Sequence, residues 1–453
     1  MRINKLSSAL AIAGLVTISG AAFATNGYFS HGYGIRAKGM GGAATAMSID
    51  AMGGANNPAS MVWVGDRLDI GVDYFRPIRS ARRVGSFGGA NDFDQESDTN
   101  NFFIPELGYN TMLSKDLSLG VTVYGNGGLN TDFAGNTNTP AACTNGNDPR
   151  TTRTLNGLCG EGQLGANLEQ LIVAPTLAYK INARHSIGIS PLIGYQRIKI
   201  NGLSAFRSLS TDPGNVTNDA RNSANGTGSD SSFGLGVRVG WQGRITDSLT
   251  LGAAYSSKIY MQKFDKYRGL FADQGDFDIP ENFSVGLAWK ATPGLTIALD
   301  YARINYDGVD SISNSGQTPG CTAVQPAGPG IGSTCLGASN GLGFGWESID
   351  IWKLGFEYQV NKSLTLRAGY NHGDNPIGSN EVTFNFLATA VVKDHLTLGM
   401  TYAVSPNSEL SFSYLHAFEE EQSGPTNSYF PVGGTETIKL KEDSLGIAYS
   451  VKF

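Results

Sequence analysis

Connections between the alternating segments of this chain run short, long, short again without a miss, and few folds accommodate that order. The short ones, built from turn-forming residues, lie at 114–116, 182–185, 246–248, 292–294, 361–363 and 405–408. Long polar segments fall at about 84–100, 126–169, 202–230, 261–276, 307–345, 373–392 and 419–443. Six short and seven long connections join fourteen strands. That number is even, as an antiparallel ring needs if both ends are to emerge on the side of the tight turns. A two-sheet sandwich has no such one-sided asymmetry.

The segments themselves read with a period of two. Leu445, Ile447, Tyr449, Val451 and Phe453 alternate with Ser444, Gly446, Ala448, Ser450 and Lys452. Phe233, Leu235, Val237, Val239 and Trp241 alternate with Gly234, Gly236, Arg238 and Gly240, and the same holds around 283–290, 352–358, 396–404 and 410–414. A ten-residue strand rising ~3.3 Å per residue and tilted ~45° spans about 23 Å, close to the apolar band of a transmembrane barrel. Aromatics sort by strand direction. Tyr179, Trp241, Trp289, Tyr358, Tyr402 and Phe453 end strands that run to short turns or to the C-terminus. Tyr74, Tyr255, Tyr260, Tyr301, Tyr306, Tyr370 and Tyr414 sit near the long loops, so two interfacial girdles are expected. The fold class implied is all-β: a 14-stranded antiparallel transmembrane β-barrel over 67–453.

Composition agrees. Hydrophobic residues make up 40 % of the chain and mean hydropathy is −0.15, because lipid-facing and lumen-facing positions average out. Sixty glycines are too many for helical domains. The net charge of −6 and the absence of a Lys/Arg block exclude a nucleic-acid partner. Arg2 and Lys5, the apolar stretch Ala9 to Ile18 and Ala22-Phe23-Ala24 read as a signal peptide over 1–24, so the exported chain begins at Thr25. After export, Cys143–Cys159 and Cys321–Cys335 are expected as two local disulfides. No metal site and no cofactor are expected. Asp92, Asp94 and Glu96 lack the glycine and distal glutamate of a calcium loop.

Residues 25–66 do not alternate. They are rich in Gly and Ala, with short helical stretches expected around 36–49 and a helical turn opened by Asn57 as N-cap and Pro58 as first residue. Such a segment is either a periplasmic tail or a plug in the lumen. Its small residues, which pack closely against a wall, favour the plug.

This segment, with its Gly-Gly-Ala run and Asn57-Pro58-Ala59, resembles the N-terminal hatch of the FadL family of outer-membrane hydrophobic-compound transporters. The resemblance continues from Leu119 to Phe133, similar to the family's third strand, in Asp278-Ile279-Pro280-Glu281-Asn282-Phe283, and in the terminal Phe453. It covers essentially the whole exported chain. It implies a barrel with a small hatch in the cell outer membrane, not an enzyme, that takes up long-chain fatty acids or monoaromatic hydrocarbons. The family catches ligand on external loops, holds it internally and releases it sideways at a kink in strand three. Gly125, Asn126, Gly127 and Gly128 occupy the matching positions. Read alone, they are better taken as a glycine-rich strand end entering a loop.

Leu203, Phe206 and Leu209 in the third long loop and Phe264, Tyr267, Leu270 and Phe271 in the fourth are candidates for an external capture groove. Packing on one another is the alternative. Tyr28 and Phe29 can reach an internal ligand or anchor the plug. Asp69, Asp73, Glu106, Arg238, Lys290, Asp300, Lys353, Glu357 and Arg367 point inward. Arg238 or Arg367 can hold a carboxylate, although charges in a wet lumen more often pair with each other. Expected partners are a hydrophobic small molecule, outer-membrane lipid and lipopolysaccharide, and the barrel-assembly machinery through Phe453. A monomer is expected. A general diffusion porin is the rival function, and the segment before the first strand argues against it. A barrel lipase or protease finds no Gly-x-Ser-x-Gly, and the five histidines show no local pairing with a nucleophile.

Overall fold

The computed structural model describes residues 25–135, 155–218, 228–317, 320–324, 328–426 and 433–453. Residues 1–24, expected from the sequence to be a signal peptide, and Cys143 lie outside the described residues. Fourteen antiparallel strands close into a barrel. They are β1 (Arg67–Val84), β2 (Phe102–Ser114), β3 (Leu117–Phe133), β4 (Leu164–Lys180) and β5 (His185–Asn201). Next come β6 (Asp230–Arg244), β7 (Leu249–Ser256), β8 (Asn282–Lys290), β9 (Leu295–Ile304) and β10 (Ile349–Gln359). The ring ends with β11 (Leu364–Gly373), β12 (Asp394–Ser405), β13 (Ser408–Pro425) and β14 (Thr435–Lys452). Each strand pairs with its sequence neighbour, and β14 closes on β1 from Arg67↔Lys452 to Val84↔Thr435. Closure leaves the ring no edge strand to be satisfied by lipid.

All six short turns fall where the sequence puts them. The alternation also holds: on β12 and β13, Leu398 faces Tyr414 on the exposed side while Gly399 faces Ser413 on the buried side. Two loop boundaries differ. Strands β13 and β14 run through most of 419–443, and β3 and β4 take up both ends of 126–169. Tyr306 also leaves the expected girdle. The strand ends at Ile304, and the ring turns into a fully buried position in the bore.

The N-terminal segment follows the inner wall. Helix α1 (Ile35–Lys38), helix α2 (Gly53–Asn56) and a 3₁₀ stretch, Pro58–Trp63, are its only regular pieces among the described residues. Asn57 caps the last by accepting from Ala59 N, and its amide donates to Thr45 O at 2.7 Å and Trp241 O at 2.9 Å. Ser186 donates to Ala59 O, and Pro58 lies against Gly240. Inward charges both form ion pairs and seat this backbone, Asp69 pairing with Arg67 at 2.7 Å. Asp69 accepts from Ala51 N, Glu106 from Ile35 N and Asp300 from both Ala44 N and Thr45 N, while Lys38 reaches Asp73 at 2.5 Å. Arg367 and Glu357 do pair with each other, at 2.8 Å.

Backbone approaches the wall this closely only where the wall lacks a side chain. A Cβ on Gly369 would lie 2.1 Å from Gly41 N. Gly369→Val is therefore expected to lift Met40–Gly41 off β11. Amide exchange in residues 39–42 should rise by roughly tenfold or more, since overpacking a tight contact costs about 1–3 kcal/mol. Unchanged exchange would mean that the contact carries no load.

Candidate functional site

The wall loses its continuity between the second and third strands. Strand β2 pairs with β3 only from Glu106↔Tyr124 toward the turn, while Phe102–Phe75 to Pro105–Val72 join β2 to β1 alone. Above Tyr124, β3 pairs only with β4, and the register slips there, with Gly125 opposite Leu171 but Gly127 opposite Gln170. Asn126 is the extra residue of a β-bulge, which bends the strand and re-aims the residues beyond it. Pro105 offers no N–H at the point where the β2–β3 ladder ends. Ile104, Pro105, Gly125, Leu171 and Tyr195 surround a small, mainly apolar recess at this break.

The edge that β3 exposes is taken by the N-terminal segment. Phe29 bridges to Gly127, Ser30 N donates to Asn126 O at 3.2 Å and Gly128 N donates to Tyr28 O at 3.1 Å. A Cβ at Gly127 would lie 1.9 Å from Tyr28 O, so this approach needs glycine. The Tyr33 hydroxyl donates to Asn126, and the Asn126 amide to Gln170. Gly125, Asn126, Gly127 and Gly128 thus lie at the wall's break, in contact with the segment that holds Tyr28 and Phe29.

Behind the break is an aromatic cluster. Tyr28 packs on Phe29, Tyr306 and Trp346 with ring centroids 5.3, 5.4 and 5.9 Å away. The Tyr306 hydroxyl donates to Asn26 O and accepts from Tyr28 N. Sequence reasoning missed Tyr306 and Trp346 here. A lone tryptophan in a long Gly/Ser-rich loop was the available signal.

Phe29 also lines a cavity of about 70 Å³ together with Tyr33, Arg238, Asp300, Ile351 and Lys353. Arg238 gives its hydrogen bonds to neutral groups only: Gly54 O, Ala55 O, Tyr124 Oη and Ser256 Oγ. Lys353 donates to His31 O at 2.9 Å. Asp300, on the same cavity, is engaged by the two backbone amides.

The external loops fold over the bore as a canopy. Leu203, Phe206, Phe264, Tyr267, Leu270 and Phe271 are all buried in it and Leu209 packs against them, so these residues offer no open groove in this state. Their own mutual contacts provide the reason: the Phe271 ring packs tilted or edge-on against Phe264, Tyr267 and Phe277. Cys321 and Cys335 are joined as a disulfide in the fifth loop. On the tight-turn side, Lys290 and Glu357 line a polar vestibule of about 480 Å³ under Ala46–Ser48.

Residues 11–452 match the family described as outer membrane protein transport protein (OMPP1/FadL/TodX). The chain belongs to that family. It is an outer-membrane β-barrel transporter of hydrophobic compounds and not an enzyme. Solved structures share the fold. The Pseudomonas putida toluene transporter TodX is 18 % identical with a TM-score of 0.66, over 93 % of this chain and 99 % of that one. A Pseudomonas aeruginosa FadL homologue is 15 % identical with a TM-score of 0.64, over 94 % and 100 %. The Ralstonia pickettii toluene transporter TbuX is 16 % identical with a TM-score of 0.59, over 93 % and 99 %. No curated protein matches the sequence.

Proposed function

We propose that this family member imports long-chain fatty acids, with residues 25–66 acting as a hatch and the break at Asn126 as a lateral exit. The observation that carries the substrate class is Arg238. It lines a cavity beside the aromatic cluster of Tyr28 and Phe29 and forms no ion pair among the described residues, whereas Lys353 in the same cavity has Asp300 directly opposite it on the neighbouring strand. A cation buried without a counter-charge is costly, and a ligand carboxylate would offset that cost through charge-assisted bonds. The aromatic wall suits the acyl chain, each CH₂ of which favours an apolar path by ~0.8 kcal/mol.

The cavity is far smaller than a ligand site of roughly 300–1,000 Å³, so a ligand has to displace part of its lining. Tyr28–Ser30 is the piece whose displacement does two things at once. It enlarges the cavity, and it frees the β3 edge beside the recess at Ile104 and Pro105. Loop capture would then begin on the canopy residues around Phe206 and Phe271 once the loops part.

Oleate binding to the purified protein tests this reading. Arg238→Ala is expected to weaken it roughly tenfold or more, as loss of a charge-assisted bond worth about 1.5–3 kcal/mol predicts, with toluene binding unchanged. Equal loss for both ligands would remove the carboxylate argument. Monoaromatic hydrocarbon uptake is the second reading, favoured by the Tyr28–Phe29–Tyr306–Trp346 cluster and by the toluene transporters among the related folds. Growth of a deletion strain on oleate against toluene separates the two. A general porin would pass small sugars in liposome swelling, which a barrel closed by a hatch should not.

A further inference from the structure

Residues 26–29 form a tight turn clamped between an external loop and the wall's break. Asn26 N donates to Phe29 O at 3.0 Å and Phe29 N to Asn26 O at 3.2 Å. Gly27 bends the chain with a φ of 63°, which few other residues adopt. One side of the turn rests on Tyr306 in the fifth loop. The Tyr306 hydroxyl accepts from Tyr28 N at 3.1 Å and donates to Asn26 O at 2.7 Å, and a side chain at Gly27 would run into it. The other side holds β3, where Tyr28 O accepts from Gly128 N and Ser30 N donates to Asn126 O. Among the described residues, no other hydrogen bond ties residues 25–30 to an external loop.

Behind Tyr306 the canopy is cross-linked. The Tyr306 and Trp346 rings, from the two ends of the fifth loop, meet edge-on with centroids 5.1 Å apart. Trp346 N donates to Ile312 O at 3.0 Å, and the indole N–H donates to Asn385 Oδ1 in the sixth loop at 2.6 Å. The Asn385 amide donates in turn to Phe344 O and Glu381 O. Asn385, Trp346, Tyr306 and Tyr28 are all buried, so a bond broken among them is not offset by one to water. Parting the two loops therefore has to draw Tyr306 off the turn or carry the turn with it. Either way Tyr28–Ser30 loses its loop-side support at the β3 edge.

We propose that Tyr306 is the positioning residue that couples the canopy to the lateral break. When the fifth and sixth loops part, the turn loses its seat and releases β3. This coupling rests on the reading of the break at Asn126 as the ligand's exit, and it adds the order of events: the wall loosens only after the canopy opens. The turn supplies the two-state element that coupling between distant sites needs, either seated on Tyr306 and paired to β3 or free of both.

Amide exchange in the purified full-length protein, with no ligand added, tests it. The amides to read are Ser30 and Gly128, since neither bonds to Tyr306 and both report on the β3 edge. Asn385→Ala breaks the link between the loops without touching the turn. It is expected to quicken both amides roughly tenfold, the order set by one or two neutral hydrogen bonds. Trp346→Phe, which keeps a ring on Tyr306 but cannot reach Asn385, should do the same. Tyr306→Phe keeps its ring, loses only the hydroxyl and should quicken them to a similar extent. Adding Asn385→Ala to Tyr306→Phe should then change them by about twofold or less, because the route is already cut. Exchange that ignores both Asn385→Ala and Trp346→Phe overturns the proposal. So do effects that multiply in the double variant, which would show loops and hydroxyl acting on the turn independently. No substrate enters the measurement, so its failure leaves the oleate reading standing, and a failed oleate test leaves the coupling intact.

Discussion

Deleting Asn126 is expected to stop uptake while leaving a folded barrel. Asn126 is the residue by which β3 slips against β4. Without it the β3–β4 register runs straight through, and Gly127, Gly128 and Leu129 come opposite Ile104, Phe103 and Phe102 of β2, which pair on one side only. Extending that ladder adds about three backbone bonds worth about 1 kcal/mol each, so the wall opens roughly two orders of magnitude less often. The same change removes the edge on which Tyr28–Ser30 rests. Uptake of labelled oleate by cells should fall to the level of a deletion strain, while the purified variant still binds oleate and still migrates as a heat-modifiable barrel. Normal uptake would refute lateral exit. Lost uptake together with lost binding would move the defect from the wall to the cavity.

The features legible beforehand were those enforced by the solvent. Lipid on one side and small or polar groups on the other impose a period of two, and tight turns demand Asn, Asp, Gly and Ser, so strand number, side-chain facing and turn positions could be read directly. What was misread traces to the same rule applied where there is no lipid. Ile438 and Leu440 face inward while Lys439 and Lys441 face out, a regular strand that reads as loop because its outer face stands in water. On β3, residues from Tyr124 to Leu129 are buried on both faces, so period two disappears just where the strand breaks. Hydropathy reports the surroundings of a face, not the presence of a strand.

The site was legible in part. Small residues ahead of the first strand signalled close packing, and glycines around Asn126 allowed a bend, but neither named its partner. Charges on the inner wall were read mainly as partners for each other, and Asp69 does pair with Arg67, but Asp69, Glu106 and Asp300 also accept from main-chain amides of the N-terminal segment, which no side-chain pattern marks. Apolar residues in the third and fourth loops could be read as a capture surface or as packing on one another. They form the interior of the canopy, because loops long enough to fold over the bore bury their greasy residues as any domain does.

That canopy is tied down at one buried ion pair, and breaking it should have the largest effect on stability. Arg83 at the end of β1 and Glu436 on β14 are 1 % and 0 % exposed and 2.5 Å apart. Arg83 also donates to Gly157 O at 2.8 Å and lies against the rings of Phe93 and Phe386, and Thr383 donates to the other oxygen of Glu436. One guanidinium thus joins the first, second and sixth loops to two strands. Removing the carboxylate in Glu436→Ala leaves that cation buried without its counter-charge, at a cost of about 3–5 kcal/mol. The barrel's own ladders do not depend on this pair, so the cost falls on the loops. Amide exchange around Gly157 and residues 383–387 should quicken by roughly two to three orders of magnitude, with strand amides unaffected. Replacing the pair together, in Arg83→Met with Glu436→Leu, should restore most of the protection, because apolar residues of like volume are often as stable as a buried ion pair. If the single and double variants exchange equally fast, the loops depend on specific hydrogen bonds from Arg83 rather than on charge balance. If neither exchanges faster than wild type, the canopy is held elsewhere.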